Sequence, residues 1–476
     1  MALASGGSEW MDEHLAEICS RFSDACEYLE LRVEEGEGCS ITLMSSKVED
    51  LAHRRHRGGC ARALVRGSWG FVCFNDLDDL EHWARQAVDL ARRAGRGEAT
   101  LAPAHPIRDR HPLNALEDVR QVSLADKVAL MRSHDAILAQ FAEPITATAV
   151  GYADSFRRRW FANSDGSAIL QETMDVTLRL TAIAKGEGTV QRYNLSLGSP
   201  DDFGICRVQE DRVADIARTA IRLASAPKVS AGVYPVVLDP MLAGVFAHEA
   251  IGHLSEADFQ YENPRLAQLM EPGNQLGHPQ LNVYDTGIEP HSRGGLLYDD
   301  EGVAAQRTDL IVEGQIVGRL HSRETAAAMG QAPTGSARAI SYRFPPIVRM
   351  RHTCIGPGLT PTAKIFEGIS RGIYAIDALG GQTNTEMFTF TAALGYLIED
   401  GQLGQLVRDV TLSGNTFHTL KEIEMIGDEA IDHNVGGGCG KGGQAPLPVS
   451  HGGPHLRLGR VVVGGSLDSG SPVVKS

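Results

Sequence analysis

The sequence predicts an α+β protein: an N-terminal α/β domain of mixed strands and helices over residues 1–228, then a mainly antiparallel β domain over residues 229–476 that carries one distinctive helix. Three observations lead there. In the first half, strand-like apolar runs alternate with stripes at helical spacing. The small, Pro-containing stretch "SAPKVSAG" (Ser225 to Gly232) then interrupts all periodicity. Beyond it, short apolar runs separated by Gly turns take over, a pattern of hairpins rather than of an alternating parallel sheet.

In chain order, a helix is expected from about Asp12 to Tyr28, followed by strands in "YLELRVEE", "CSITLMSS" and "GCARALVRGSWGFVCF". Leu80, Trp83, Ala84, Ala87, Val88 and Ala91 form one apolar stripe, so Leu77 to Ala94 reads as an amphipathic helix. Gly95 to Pro112 lacks periodicity and reads as an exposed connection. Ser123 as N-cap, with Asp126 three residues on, opens a further helix. Strands follow in "PITATAVGYAD", "RRRWFAN" and "AILQETMDVTLRLTAIAK", with Asn163 to Gly166 supplying a turn between the last two. "DRVADIARTAIRLAS" is helical. After the boundary, "VYPVVLD" is a strand, and "LIVEGQIVGRL" and "YLIEDGQLGQLV" read as hairpins turning at Gly314 and Gly401.

The 45 Lys and Arg against 60 Asp and Glu leave a net charge of −15, which argues against a nucleic-acid partner because phosphate binding needs a concentrated basic field. The one basic cluster, "HRRHRGG" (His53 to Gly59), reads as a solvated strand end or turn. No segment approaches the ~18 consecutive apolar residues of a membrane span. The start lacks a basic and then apolar leader, so a cytoplasmic protein is expected. The 8 Cys include no CxxC pair, and most are expected to be buried small hydrophobes.

The sharpest feature is "LDPMLAGVFAHEAIGHLSEADF". Asp239 is a good N-cap and Pro240 suits the first helical position, so His248, Glu249 and His253 fall on a helix with a defined start. The spacing is HExxxH. Five residues of ideal helix turn the second imidazole about 140° from the first, too far for both to reach one ion. A π-type turn restores them to one side, and Gly252 makes such a widening cheap, which predicts a distorted turn across Ala250 to His253. Two imidazoles and a carboxylate on an otherwise apolar helix are costly to bury without a partner such as a metal. Spacing leaves the third ligand open among Glu256, Asp258, His278, His291, the run Asp299, Asp300, Glu301, and Cys439. Thiolate chemistry and the flanking glycines of "NVGGGCGKGGQ" favour Cys439.

The chain resembles the TldD branch of the TldD/PmbA family of HExxxH metalloproteases. The resemblance runs in order through "HEAIGHLSEADFQYENPRL", "RGGLLYDDEGVAAQRTDLIVEGQIVGRLHSRETAAAMG", "TGSARAISYRFPPIVRM", "ALGGQTNTEMFTFTAALGYLIEDG" and "NVGGGCGKGGQAPLPVSHGGPHLRLGRVVVGG". It implies one zinc held by His248, His253 and Cys439, with Glu249 as catalytic acid/base in hydrolysis of small or unfolded peptides. It also implies a PmbA/TldE-type partner subunit in a heterodimer, or self-association. Glu256 and Asp258 are expected to orient the imidazoles. "QTNTEMFTFT", and in it Gln382, Thr383, Asn384 and Thr385, is expected to line the cleft in which an extended peptide pairs with sheet backbone. The alternative is the same zinc chemistry turned on an amide bond of a small biosynthetic intermediate.

Overall fold

The computed structural model describes residues 11–384 and 386–464. Two sheets organise the chain. The first contains β1 (Tyr28–Met44), β2 (Lys47–Val65), β3 (Ser68–Phe74), β4 (Arg108–His111), β5 (Ile145–Asn163) and β6 (Ala168–Gly186) in the order β3-β2-β1-β5-β6-β4, and β7 (Thr189–Ser199) pairs with β6. All of these pairings are antiparallel except β4 with β6.

Helices cover this sheet where their apolar stripes demand it. Ahead of β1 lies α1 (Met11–Arg21), shorter than the sequence suggests because residues 22–27 turn to feed the strand. α2 (Leu80–Ala94), capped by the Asp79 carboxylate on His82 N–H, buries Leu80, Ala84, Ala87, Val88 and Ala91. α3 (Leu124–Ala139) starts at Ser123, whose hydroxyl accepts from Asp126 N–H. With α4 (Glu210–Ser225), it closes a core around Val150, Val176, Leu178 and Leu180.

Several strands are longer than the sequence suggests. "YLELRVEE" and "CSITLMSS" belong to one continuous β1, and "PITATAVGYAD" and "RRRWFAN" to one β5. "HRRHRGG" lies in the interior of β2, not at a strand end, with His53 to Arg57 exposed.

The second sheet gathers β8 (Gly232–Leu238), β9 (Val283–Thr286), β10 (Arg307–Val312), β11 (Gln315–Ile316), β14 (His352–Ile355), β15 (Arg371–Asn384), β16 (Met387–Glu399), β17 (Gln402–Val407), β18 (Thr411–Asn415), β19 (Ile423–His433) and β22 (Ser450–Val463). The short pairs β12 (Ala337–Arg338) with β13 (Ile347–Val348), and β20 (Cys439–Lys441) with β21 (Gln444–Leu447), stand apart from it. Pairing runs from β22 through β18, β16, β15 and β8 back to β22, so this part of the sheet closes on itself around an apolar core. Among the described residues of this sheet, only the strand pairs β14–β22 and β15–β8 are parallel. The hairpins turn at Gly314 and Gly401, which adopt φ of 78° and 77°, a backbone state open to glycine at little cost.

The acidic run weighed as a ligand source has a different task. Buried Glu301 pairs with Arg62, and Asp300 with Arg32 and Arg159, so the run ties the C-terminal half to β1, β2 and β5. Asp299 accepts from the N–H groups of Glu301, Val303 and Ala337. Buried pairs of this kind fix relative placement more than they add net stability.

Candidate metal centre

Asp239 caps α5 (Pro240–Ala247): one carboxylate oxygen accepts from Leu242 N–H at 2.8 Å and the other from Asp377 N–H at 3.2 Å. Burial, aided by the nearby Asp377 charge, pushes the Asp239 carboxyl up to about 7. The native chain therefore keeps a proton that the unfolded chain gives up above pH of about 4. Stability from this group is present at low pH and is lost as pH rises towards 7. Asp239→Asn, which retains one capping oxygen, is expected to shrink the drop in urea midpoint between pH 5 and pH 8; a drop equal to that of the unmutated chain would remove Asp239 as its source.

At the end of α5 the helix widens. His248–Gly252 form a π turn in which His253 N–H donates to His248 C=O, and a 3₁₀ turn, His253–Ser255, follows. The extra residue of the wide turn cancels the rotation that would splay the imidazoles. The two rings lie 5.1 Å apart between centroids and nearly perpendicular, at 83°. A Cβ on Gly252 would fall 2.0 Å from Met350 Sδ, so any larger residue there would have to displace that buried side chain.

Cys439 arrives from the far end of the chain. "NVGGGCGKGGQ" is not wholly a loop: β20 and β21 form a hairpin whose turn uses Gly442 and Gly443 at positive φ. Cys439 Sγ lies 3.4 Å from His253 Nε2, and the ligand atoms of His248, His253 and Cys439 all lie within 4.8 Å of one another. Burial pushes the Cys439 thiol up, but the charges and hydrogen bonds of His248 and His253 override it and hold the thiol near a pKa of about 5. Both imidazoles shift the opposite way: burial lowers them, yet Glu256 and Cys439 raise His253, and Cys439 raises His248. His248 Nδ1 is buried without a partner among the described residues. A thiolate and two converging imidazoles, one otherwise unsupported, fit a borderline-soft divalent cation.

Around these three the carboxylates divide. Glu256 Oε2 lies 3.0 Å from His253 Nδ1 and so orients that ring. Asp258 touches neither imidazole, contrary to expectation; it accepts from Lys441 Nζ at 2.6 and 2.8 Å. Lys441 also reaches Glu256 at 3.2 Å. Burial raises the Glu256 carboxyl, but Lys441 and His253 together bring it below its ordinary value. Lys441 was not anticipated in this role. The signal was its closeness to Cys439, two residues before it in the same short strand, although the register shifts between them. His278 and His291 lie elsewhere: His278 accepts from Gln280 N–H, and His291 pairs with Asp201. Lys441→Met is expected to weaken binding of a divalent cation by up to about 10-fold, the low end of the scale for a partner that orients a ligand because Lys441 acts through Glu256, as measured by competition with a chelator. Unchanged affinity would mean that Glu256 needs no counter-charge to hold His253.

Glu249 faces a cavity of about 1400 Å³ that also contains His248, His253 and Cys439. The Thr383 hydroxyl lies 3.0 Å from Glu249 Oε2 and 2.8 Å from Glu249 C=O, and its one proton is shared between these two acceptors. Gln382 and Thr383 line the same cavity; Asn384 ends β15, and Thr385 lies outside the described residues. Residues Arg192 to Ser196 of β7 line the cavity as well.

Comparison with known proteins matches residues 29–94, 117–226 and 231–465 to domain 1, the central domain and the C-terminal domain of the PmbA/TldA metallopeptidases. Over 95% of its length the chain is 44% identical to Metalloprotease slr0863 of Synechocystis sp., 97% of which is covered. It is 34% identical to the Zinc metalloprotease TldD homolog of Saccharolobus solfataricus, over 92% of this chain and 96% of that one. The fold is similar to that of TldE from Thermococcus kodakarensis, with a TM-score of 0.75 at 17% identity over 94% of this chain and 99% of that one. With all three family segments present in order and relatives aligned almost end to end, the chain belongs to the TldD/PmbA metallopeptidase family.

Proposed function

We propose that the chain is a zinc peptidase of HExxxH type that hydrolyses small or unfolded peptides, with His248, His253 and Cys439 as zinc ligands and Glu249 as general acid/base. The observation that carries this reading is the convergence of all four side chains on one cavity beside a free strand edge. Zinc bound there supplies Lewis acidity towards a water molecule and a scissile carbonyl. Glu249, held by the Thr383 hydroxyl, takes the proton from water and passes it to the leaving amine.

Substrate binding follows from the same strands. From Ala378 onward β15 pairs with β16 on one side only, and β7 pairs only with β6, among the described residues. An extended peptide that adds to the β15 edge gains main-chain hydrogen bonds without reading its sequence, which suits a broad peptide range. Gly381 brings that edge against Glu249: a Cβ there would stand 3.3 Å from Glu249 Cγ and 3.2 Å from Phe390 Cβ. The TldE-like fold and the family membership favour action beside a TldE-type partner, or as a self-associated assembly.

The test is to incubate the purified chain, alone and with a TldE-type partner, with a mixed peptide pool and to follow products by mass spectrometry. New peptide termini that vanish on chelation and return with zinc are expected. Cleavage that survives chelation, or none in either assembly, contradicts the reading.

A further inference from the structure

A second set of metal-ligating side chains meets on the other face of the C-terminal sheet. Along β22, His451 and Gly453 face α5, where they meet Gly244 and Ala243, so Gly452 faces the opposite way. Cross-strand register places Cys354 of β14 and Asp432 of β19 on either side of Gly452. His352 lies two residues before Cys354 and so shares its face. The missing side chain is what lets the three meet: a Cβ on Gly452 would fall 2.2 Å from Asp432 Oδ1 and 3.0 Å from Cys354 Sγ.

The atoms converge on one point. His352 Nε2 lies 2.7 Å from Cys354 Sγ and 3.1 Å from Asp432 Oδ1, and the sulfur is 3.5 Å from that same oxygen. This is not the layout of a proton relay, in which the thiol and the carboxylate sit on opposite ring nitrogens. Here both address Nε2, while Nδ1 has no partner among the described residues. Three donors sharing one centre are instead the layout of a cation site.

We propose that His352, Cys354 and Asp432 form a second metal site, separate from that at Cys439, which takes one zinc-class divalent cation. Thiolate, imidazole and carboxylate are all zinc donors, and three of them leave a fourth position for water. His352 and Cys354 are buried at 2% and 1% exposure, whereas the Asp432 side chain is 53% exposed, so the open position faces solvent at the sheet margin. The cation ties β14 to β19, and β19 leads within seven residues to Cys439. The second ion thus anchors the root of the segment that delivers the thiolate to the first.

Metal content of the zinc-loaded, desalted full chain tests this. Two zinc ions per chain are expected, with one left in Cys439→Ser, one in Asp432→Asn and none in the double variant. Loss of all zinc in Cys439→Ser, or two ions retained in Asp432→Asn, overturns the proposal. Cobalt gives a second reading: in the Cys439→Ser background a thiolate-to-cobalt absorption band is expected, and it should disappear when Cys354→Ser is added. No such band in Cys439→Ser also overturns it. Should Cys354→Ser fail to fold, Asp432→Asn in the same background replaces it, because a half-exposed side chain can be exchanged at little cost to the core.

Discussion

Glu249→Gln is expected to lower peptide hydrolysis by about 10²- to 10⁴-fold, the usual contribution of a positioned general acid/base, with zinc content unchanged. The amide keeps the shape of the side chain and can still accept from the Thr383 hydroxyl, which holds Glu249 at 3.0 Å. It cannot take a proton from water. Because Glu249 is not among the converging ligand atoms, metal content should not follow activity. Hydrolysis at the unmutated rate with zinc retained would remove Glu249 as the base. Loss of both zinc and activity would instead move Glu249 into the ligand set.

Cys439→Ser carries the second large effect. The thiol is held near a pKa of about 5 despite burial, because two imidazoles face it. A serine hydroxyl in the same place stays protonated at any working pH and is a poor zinc ligand, so the first site should lose its ion and hydrolysis should fall to background. Backbone placement should survive, since Arg349 donates to Cys439 C=O at 2.8 Å and the β20–β21 pairing does not involve the sulfur. Retention of that ion in Cys439→Ser at competing chelator concentrations would leave His248 and His253 with a different third partner.

How much of this was legible in the sequence depends on whether the cause is local. The start of α5 is local: Asp239 and Pro240 specify it, and the structure shows the cap they predict. The π turn was legible because five-residue spacing on an ideal helix would splay the two imidazoles; Gly252 itself keeps an ordinary helical φ of −55°, so the freedom of glycine is not what widens the turn. Strand lengths were not. β1 reads as two strands because Gly36 and Gly38 look like turn residues, yet they are close-approach glycines, where a Cβ would lie 2.8 Å from Phe156 C=O and 2.2 Å from Asp154 C=O. Only the identity of the neighbouring strand reveals that.

The same limit governs the charged residues. Asp300 and Glu301 looked available as ligands because their arginine partners, Arg32, Arg62 and Arg159, lie far away in sequence, and Asp299 because the Ala337 N–H it accepts from does too. Lys441 was hidden by its glycine surroundings, which suggested a loop where a short hairpin forms. His352, Cys354 and Asp432 come from strands whose adjacency no local pattern announces. For the acidic run and the His352 cluster the missing information was register, which long-range pairing fixes; for Lys441 it was that a glycine-rich segment folds as a local hairpin.

Everything proposed for the first site depends on one cation being held by the two imidazoles of the widened turn and the thiolate of the glycine-rich hairpin. A zinc-edge anomalous difference map from crystals of the zinc-loaded protein tests it most directly. A peak bonded to His248, His253 and Cys439 is expected, at about 2.0–2.1 Å from nitrogen and about 2.3 Å from sulfur. No peak at that position, or a peak coordinated without Cys439, would contradict it.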